Sequence, residues 1–295
     1  MKESLLPDFS GHDLQGRVAQ LFVYPVKSCA GIALQEAELT ATGLAHDRAW
    51  MVVDGQGVFR TQRESPRMAL VRPELQADAL VLQAPGMAAL HIPYGTDAPT
   101  PTNVQVWDDT VPAWDMGEPA AQWFSAFLGQ PCRLMRFVPT HQRLSSFKWT
   151  GGIEAPNQFA DGYPVLIASQ ASLDGLNARL AAAGHAAVGM ERFRPNVVIA
   201  GVGEHDEDRI DLLRIAAQGA VAELRPVKPC VRCPIPDIDP ATAERGHAVG
   251  DTLRTYRQDA RMGGGITFGM NAIVRAGRGA WLRVGQPLGA DLRFD

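Results

Sequence analysis

The chain has 295 residues, enough for one large or two modest domains, and a composition of 46% hydrophobic and 20% charged residues is that of a globular protein with a buried core. A formal charge of -4 offers no net basic face to nucleic acid, and no apolar run approaches the roughly 20 residues needed to span a bilayer. With no apolar signal segment after Met1 and four cysteines, too few for a disulfide scaffold, the expectation is a soluble cytoplasmic protein with reduced thiols and with neither nucleic acid nor membrane as partner.

Residues 1–17 read as an N-terminal extension. From Val18 to about Arg136 short extended segments such as Leu21-Phe22-Val23-Tyr24 and Trp50-Met51-Val52-Val53 alternate with turn chemistry, so this half reads as β. Asp54-Gly55-Gln56-Gly57 predicts a hairpin, because glycine tolerates the positive φ of such turns, and Ala84-Pro85-Gly86 and Asp108-Asp109-Thr110 predict two more. A helix closes the region: Pro119 suits its first turn, Trp123, Phe124 and Phe127 share a face, and Gly129 ends it. Residues 138–164, rich in Ser, Thr, Gly, Pro and Asn, predict a domain junction and a long loop. The domains expected are therefore 18–137 and 138–295.

In the second half Ser169 can cap a helix in which Leu173, Leu176 and Leu180 share a face and which Gly184 follows. Asn196–Ala200 and Ala220–Leu224 read as strands, Thr252–Gln258 as a short helix, and Ala272–Val274 and Trp281–Val284 as closing strands. Arg261-Met-Gly-Gly-Gly-Ile266 lacks the Gly-Lys-Ser/Thr ending of a nucleotide loop.

Cys230-Val-Arg-Cys233 has the spacing of a redox dithiol or of half a zinc site. Zinc needs four ligands, yet Cys29 and Cys132 stand alone and no histidine pair accompanies them. A thioredoxin-like motif opens a helix, whereas Pro234 and Pro236 follow at once. Taken alone, the segment also fits two small buried apolar side chains.

Its surroundings are more specific. Val227-Lys-Pro-Cys-Val-Arg-Cys-Pro-Ile-Pro-Asp-Ile-Asp-Pro240 resembles the signature loop of MOSC proteins, as do Phe159-Ala-Asp-Gly-Tyr-Pro-Val-Leu-Ile167, Ser169-Gln-Ala-Ser-Leu173, Arg192-Phe-Arg-Pro-Asn-Val-Val-Ile199 and Phe268-Gly-Met-Asn271. Upstream, Tyr24-Pro-Val-Lys-Ser-Cys29 and Gly43-Leu-Ala-His-Asp-Arg-Ala-Trp50 resemble the N-terminal β-barrel domain found with it. The resemblance covers residues 18 to about 290, and its architecture is most similar to that of amidoxime-reducing components. It implies an α+β, predominantly β fold, in which a β-barrel-type N-terminal domain and a MOSC β-barrel with flanking helices hold a molybdenum-molybdopterin cofactor.

By the same resemblance Cys233 is the protein ligand to molybdenum, a soft metal suited to thiolate. Lys27, Ser28, Arg48, Ser169, Arg194, Asn196 and Asn271 match cofactor-contacting positions. Cys230 receives no chemistry beyond packing. Asp239, with Asp237 near it, is a candidate for moving protons, with turn formation beside Pro240 as the competing reading. The implied activity is reduction of N-hydroxylated compounds: hydroxylamines, amidoximes and N-hydroxylated bases. A cofactor carrier or sulfur-handling protein using Cys233, with Arg232 beside it, is the alternative. No Gly-x-Gly-x-x-Gly unit appears, and no cysteine follows Cys233 to ligate an iron-sulfur cluster, so electrons are expected from a separate reductase or ferredoxin-like partner.

Overall fold

The computed structural model describes residues 7–95, 100–217 and 220–293, and the first six residues of the expected N-terminal extension lie outside them. The molecule is α+β and mostly strand, and its central feature is a closed ring of seven strands. These are β1 (Leu14–Val23), β2 (Val165–Ser169), β3 (Val197–Ala200), β4 (Ile210–Ala217), β5 (Ala220–Val231), β6 (Gly265–Ala276) and β7 (Pro287–Leu292). Around the ring the order is β2-β3-β1-β7-β4-β5-β6, and β6 pairs back onto β2 to close it. Only β2 and β3 run parallel, with Ile167 opposite Val197. Closure leaves the ring without a free edge, which disposes of unpaired backbone groups.

Alternation along the strands fills two cores from the same segments. Ile167, Val197 and Ile199 point into the barrel with Leu213, Ile215, Leu224 and Leu288. Ala168 and Val198, one residue out of phase, pack instead under α2 and α3 with Leu173, Leu176, Leu180, Phe193 and Phe268. Here α2 is Gln170–Ala182 and α3 is Ala248–Arg254, while α1 is Glu118–Leu128 in the first half. Ser169 caps α2 by accepting from Ser172 N at 3.1 Å. The expected helix near Thr252 is thus present but begins four residues earlier, at Ala248.

The N-terminal half holds antiparallel sheets of four strands (Trp50–Val53, Thr102–Val106, Asp109–Asp115, Arg133–Phe137) and three strands (Arg72–Leu75, Ala79–Gln83, Leu90–Pro93). Hairpins are present at 54–57 and 84–89 as expected, and the third turns at 107–108 rather than 108–110, because Asp109 and Thr110 already pair with Val106 and Gln105. Trp50 and Val52 pack with Phe124 and Phe127 of α1. Met51 and Val53 face the other side, with Val104, Met135 and Phe159. Helix α1 carries Pro119 in its first turn and ends on Gly129 at φ 71°, a left-handed position that suits glycine.

Two expectations need correction. Leu14–Arg17 are no extension, because they pair with Pro287–Ala290 in the barrel; strand β1 as a whole lies between β3 and β7 and so joins the barrel of the C-terminal half. Trp281–Arg283 is not the last strand, because it pairs with Glu36–Glu38 and β7 follows. Both β4 and β7 escaped the sequence pattern: Pro287-Leu-Gly-Ala-Asp-Leu292 contains residues poor in β propensity that the closed ring nevertheless requires.

Leu176 is fully buried between α2 and the barrel wall. Leu176→Ala is expected to lower unfolding free energy by about 2–5 kcal/mol. Denaturant titration should show a lower midpoint at unchanged slope, and an unchanged midpoint would contradict this packing.

Candidate functional site

The site grows from the segment that links β1 to the N-terminal sheet. Lys27 N donates to Trp50 O at 2.8 Å, Trp50 N to Pro25 O at 3.0 Å, and Arg48 N to Tyr24 O at 2.9 Å. These bonds clamp residues 24–29 against 48–50 and carry Lys27, Ser28 and Arg48 to one place. From the barrel side, Phe193 stacks on Phe268 with ring centroids 4.0 Å apart, and Arg194 follows it at the entry to β3. The end of β5 brings Cys230, Val231, Arg232 and Cys233 to the same point.

Together these elements line one pocket at the seam between the two halves. Five cations face it, Lys27, Arg48, Arg63, Arg194 and Arg232, against one carboxylate, Asp161. On a chain of net charge -4 this is a concentrated positive site, suited to an anionic ligand.

The cations are held by identifiable devices. Arg48 and Arg194 both lie 4.3 Å from the centroid of the fully buried Tyr24 ring. Arg48 Nη1 donates to Asp47 Oδ2 at 2.5 Å, and its Nη2 to Arg194 O at 3.1 Å. Arg194 Nη1 donates to Cys29 O at 2.7 Å. Burial, then the neighbouring Arg48, pushes the Arg194 guanidinium down to about 10, which still leaves it charged at neutral pH. Lys27, 4% exposed, donates from Nζ to Phe159 O at 2.8 Å and pairs with Asp161. Burial lowers the Lys27 ammonium, and Asp161 opposes that shift. Arg232 donates from Nη1 to Cys230 Sγ at 2.9 Å and from Nη2 to Phe193 O at 2.7 Å.

Arg194 Nη2, Arg232 Nε and the Tyr163 hydroxyl, all of the pocket lining, are buried and unpartnered among the described residues. An orphaned guanidinium N–H costs free energy unless an acceptor meets it, so the pocket suits an oxygen-rich anion. Backbone strain points the same way: Ser28, Arg48 and Arg194 have φ of 66°, 48° and 59°, left-handed values uncommon for such residues.

The pocket gathers seven of the expected residues: Lys27, Ser28, Arg48, Arg194, Asn196, Cys233 and Asn271. Asn196 also has a structural duty, because its Oδ1 accepts from Leu166 N at 3.0 Å and its Nδ2 donates to Phe22 O at 3.3 Å. Ser169 does not line this pocket. It is fully buried at the cap of α2, where its Oγ pairs with Ser172 Oγ at 2.7 Å and its N–H donates to Glu207, so the carboxylate already occupies the anion position at that helix start. Asp239 lies in a separate depression, paired with Arg192 at 2.9 Å and accepting from Ala241 N, contacts that match the turn-forming reading. Asp237 likewise accepts from Val249 N and Gly250 N at the start of α3.

Sequence reading did not find Tyr24, Asp47, Arg63, Arg143 or Asp161. Arg143 is buried and donates from Nη1 to Asn157 Oδ1 and Ala160 O, each at 2.6 Å, which fixes the loop that presents Asp161. A buried arginine in a polar loop leaves no periodic signal; only its partners reveal it.

Residues 15–131 match the MOSC N-terminal beta barrel domain, and residues 154–288 match the MOSC domain. The mitochondrial amidoxime-reducing component 1 of Mus musculus is 37% identical over 252 residues, covering 82% of this chain and 72% of that protein. The mitochondrial amidoxime reducing component 2 of Homo sapiens is 34% identical with the same coverage. Molybdenum cofactor sulfurase of Homo sapiens is 28% identical over 86% of this chain, which spans 29% of that protein.

Arg194→Ala is expected to leave the fold intact and to weaken binding of a polyanion such as pyrophosphate by about tenfold or more, since a charge-assisted contact contributes roughly 1.5–3 kcal/mol. Calorimetric titration checks this, and equal affinity in both proteins would remove Arg194 from the anion site.

Proposed function

Because the chain belongs to the MOSC family, with a MOSC N-terminal β-barrel domain ahead of the MOSC domain, we propose that it is a molybdenum-cofactor-dependent reductase of N-hydroxylated compounds. The observation that carries this reading is the pairing, in one pocket, of orphaned buried guanidinium donors on Arg194 and Arg232 with the unpaired thiol of Cys233. A pterin phosphate would supply the acceptors that the arginines lack, and a thiolate suits molybdenum. The residues therefore fit the group.

When bound, the cofactor would supply two-electron reduction of an N–O bond. Everything else falls to the chain. Cys233 would hold the metal through its sulfur. Lys27, Arg48 and Arg194 would bind the phosphate and pterin, the two guanidinium groups brought together by the Tyr24 ring. Arg232, fixed by Phe193 O, would present Nε to the same ligand, and Asn271 would add an amide from β6. Asp161 and Arg63 stand at the mouth, where Asp161 holds the Lys27 ammonium in place. The site would take electrons from a separate reductase or ferredoxin-like protein, since none of the pocket residues forms a flavin or nicotinamide site. Four unpaired cysteines suit a reducing compartment, and the cytoplasm is the location proposed. No helix among the described residues is long and apolar enough to cross a membrane.

Metal analysis of the purified protein tests the reading directly. Wild type should carry about one molybdenum per chain, Cys233→Ala almost none, and Cys230→Ala most of it, because one thiolate suffices as the protein ligand. Metal retained in Cys233→Ala would overturn the ligand assignment, and wild type devoid of molybdenum after expression with the cofactor would favour sulfur handling instead. With reduced viologen as donor, wild type should reduce an amidoxime, while NADPH alone should drive no turnover. Sustained NADPH-driven turnover by the isolated chain would reveal a redox site of its own.

A further inference from the structure

Trp107 violates a local rule, and its contacts explain the violation. It is the first of the two residues that turn the hairpin between Thr102–Val106 and Asp109–Asp115, and its φ is 56°. Such a position ordinarily takes Gly, Asn or Asp, because a bulky side chain there is strained by about 1–3 kcal/mol. The side chain is 38% exposed, so part of the indole faces solvent.

The indole is nonetheless held in one orientation. Its Nε1 donates to Asp161 Oδ1 at 3.2 Å, the Arg63 guanidinium lies 4.8 Å from its ring centroid, and Phe59 tilts against it at 4.9 Å. Asp161 and Arg63 both line the cationic pocket. A flat apolar ring is therefore fixed at the rim of the pocket by the pocket's own charged residues. On the barrel side of the same pocket a second apolar side chain, Val231, is 43% exposed between the two cysteines.

We propose that Trp107 is a specificity-determining residue that stacks on a planar aromatic or heteroaromatic group of the substrate while the N-hydroxylated end enters the pocket. The identity of the reacting group rests on the reductase reading above; the stacking surface does not. A strained indole that packs on Phe59 and Arg63 yet stays 38% exposed is explained by what it offers to a ligand, and aromatic faces reward flat partners in a way that small aliphatic ones cannot share.

The test uses holoenzyme with reduced viologen, an aryl substrate (benzamidoxime) and an alkyl one (acetamidoxime). Calorimetric binding of benzamidine and acetamidine, the corresponding products, runs in parallel. In Trp107→Gly the ratio of kcat/KM for the aryl over the alkyl substrate should fall about tenfold, chiefly through KM, as expected for loss of one stacking contact. Benzamidine affinity should fall by a similar factor. Trp107→Phe should restore most of the aryl preference. Equal losses on both substrates, or an unaltered ratio, would overturn the proposal, as would wild type that binds benzamidine no better than acetamidine. If wild type reduces neither amidoxime but binds benzamidine in a Trp107-dependent manner, the reductase reading fails and the stacking surface stands.

Discussion

Arg48 and Arg194 come from opposite halves of the molecule, yet both guanidinium groups lie against the ring of Tyr24. Burial, and after it the repulsion between two like charges this close, depresses Arg194. Three features make the arrangement tolerable: the electron-rich face of the ring, the Asp47 carboxylate beside Arg48, and the backbone carbonyls of Cys29 and Arg194. Asp47 also accepts from Tyr24 N at 2.8 Å, so one carboxylate fixes both the platform and one of the charges on it. Gly31 completes the cluster, because a Cβ there would stand 2.4 Å from the Tyr24 ring.

The barrel makes this meeting possible. Strand β1 is locked between β3 and β7, and the chain leaving it crosses at once to the N-terminal sheet, where Val26 bridges to Trp50. The two halves are therefore tied by backbone pairing at the place where the cations converge. A seam built this way fixes the charged side chains relative to one another, which a pair of domains joined by a flexible linker could not do. The left-handed backbone at Ser28, Arg48 and Arg194 is the local cost of aiming those side chains inward.

Much of the fold was legible in the residues. The three hairpins, α1 with Pro119 and Gly129, and α2 with its Ser169 cap follow from turn chemistry and from 3.6-residue periodicity, both local properties of the chain. Strands β4 and β7 were not legible, because closing a ring is a long-range demand that the segments themselves do not announce. The role of β1 was hidden for the same reason: its partners are Val197–Ala200 and Pro287–Ala290, far along the chain from it.

The candidate site divides along the same line. Local motifs carried Lys27, Ser28, Arg48, Arg194 and Cys233, because each sits in a short segment whose residue order is distinctive by itself. Ser169 and Asp239 belong to equally distinctive segments, but neighbouring groups remote in sequence, Glu207 and Arg192, already satisfy them. Tyr24, Asp161 and Trp107 acquire a function through partners 23 to 170 residues away that no spacing encodes. The sequence by itself determined the family resemblance, the local elements and the chemistry available. Only the tertiary structure decided which donors are left without acceptors and which side chains are already spent, because hydrogen bonding and burial depend on what the closed barrel brings alongside.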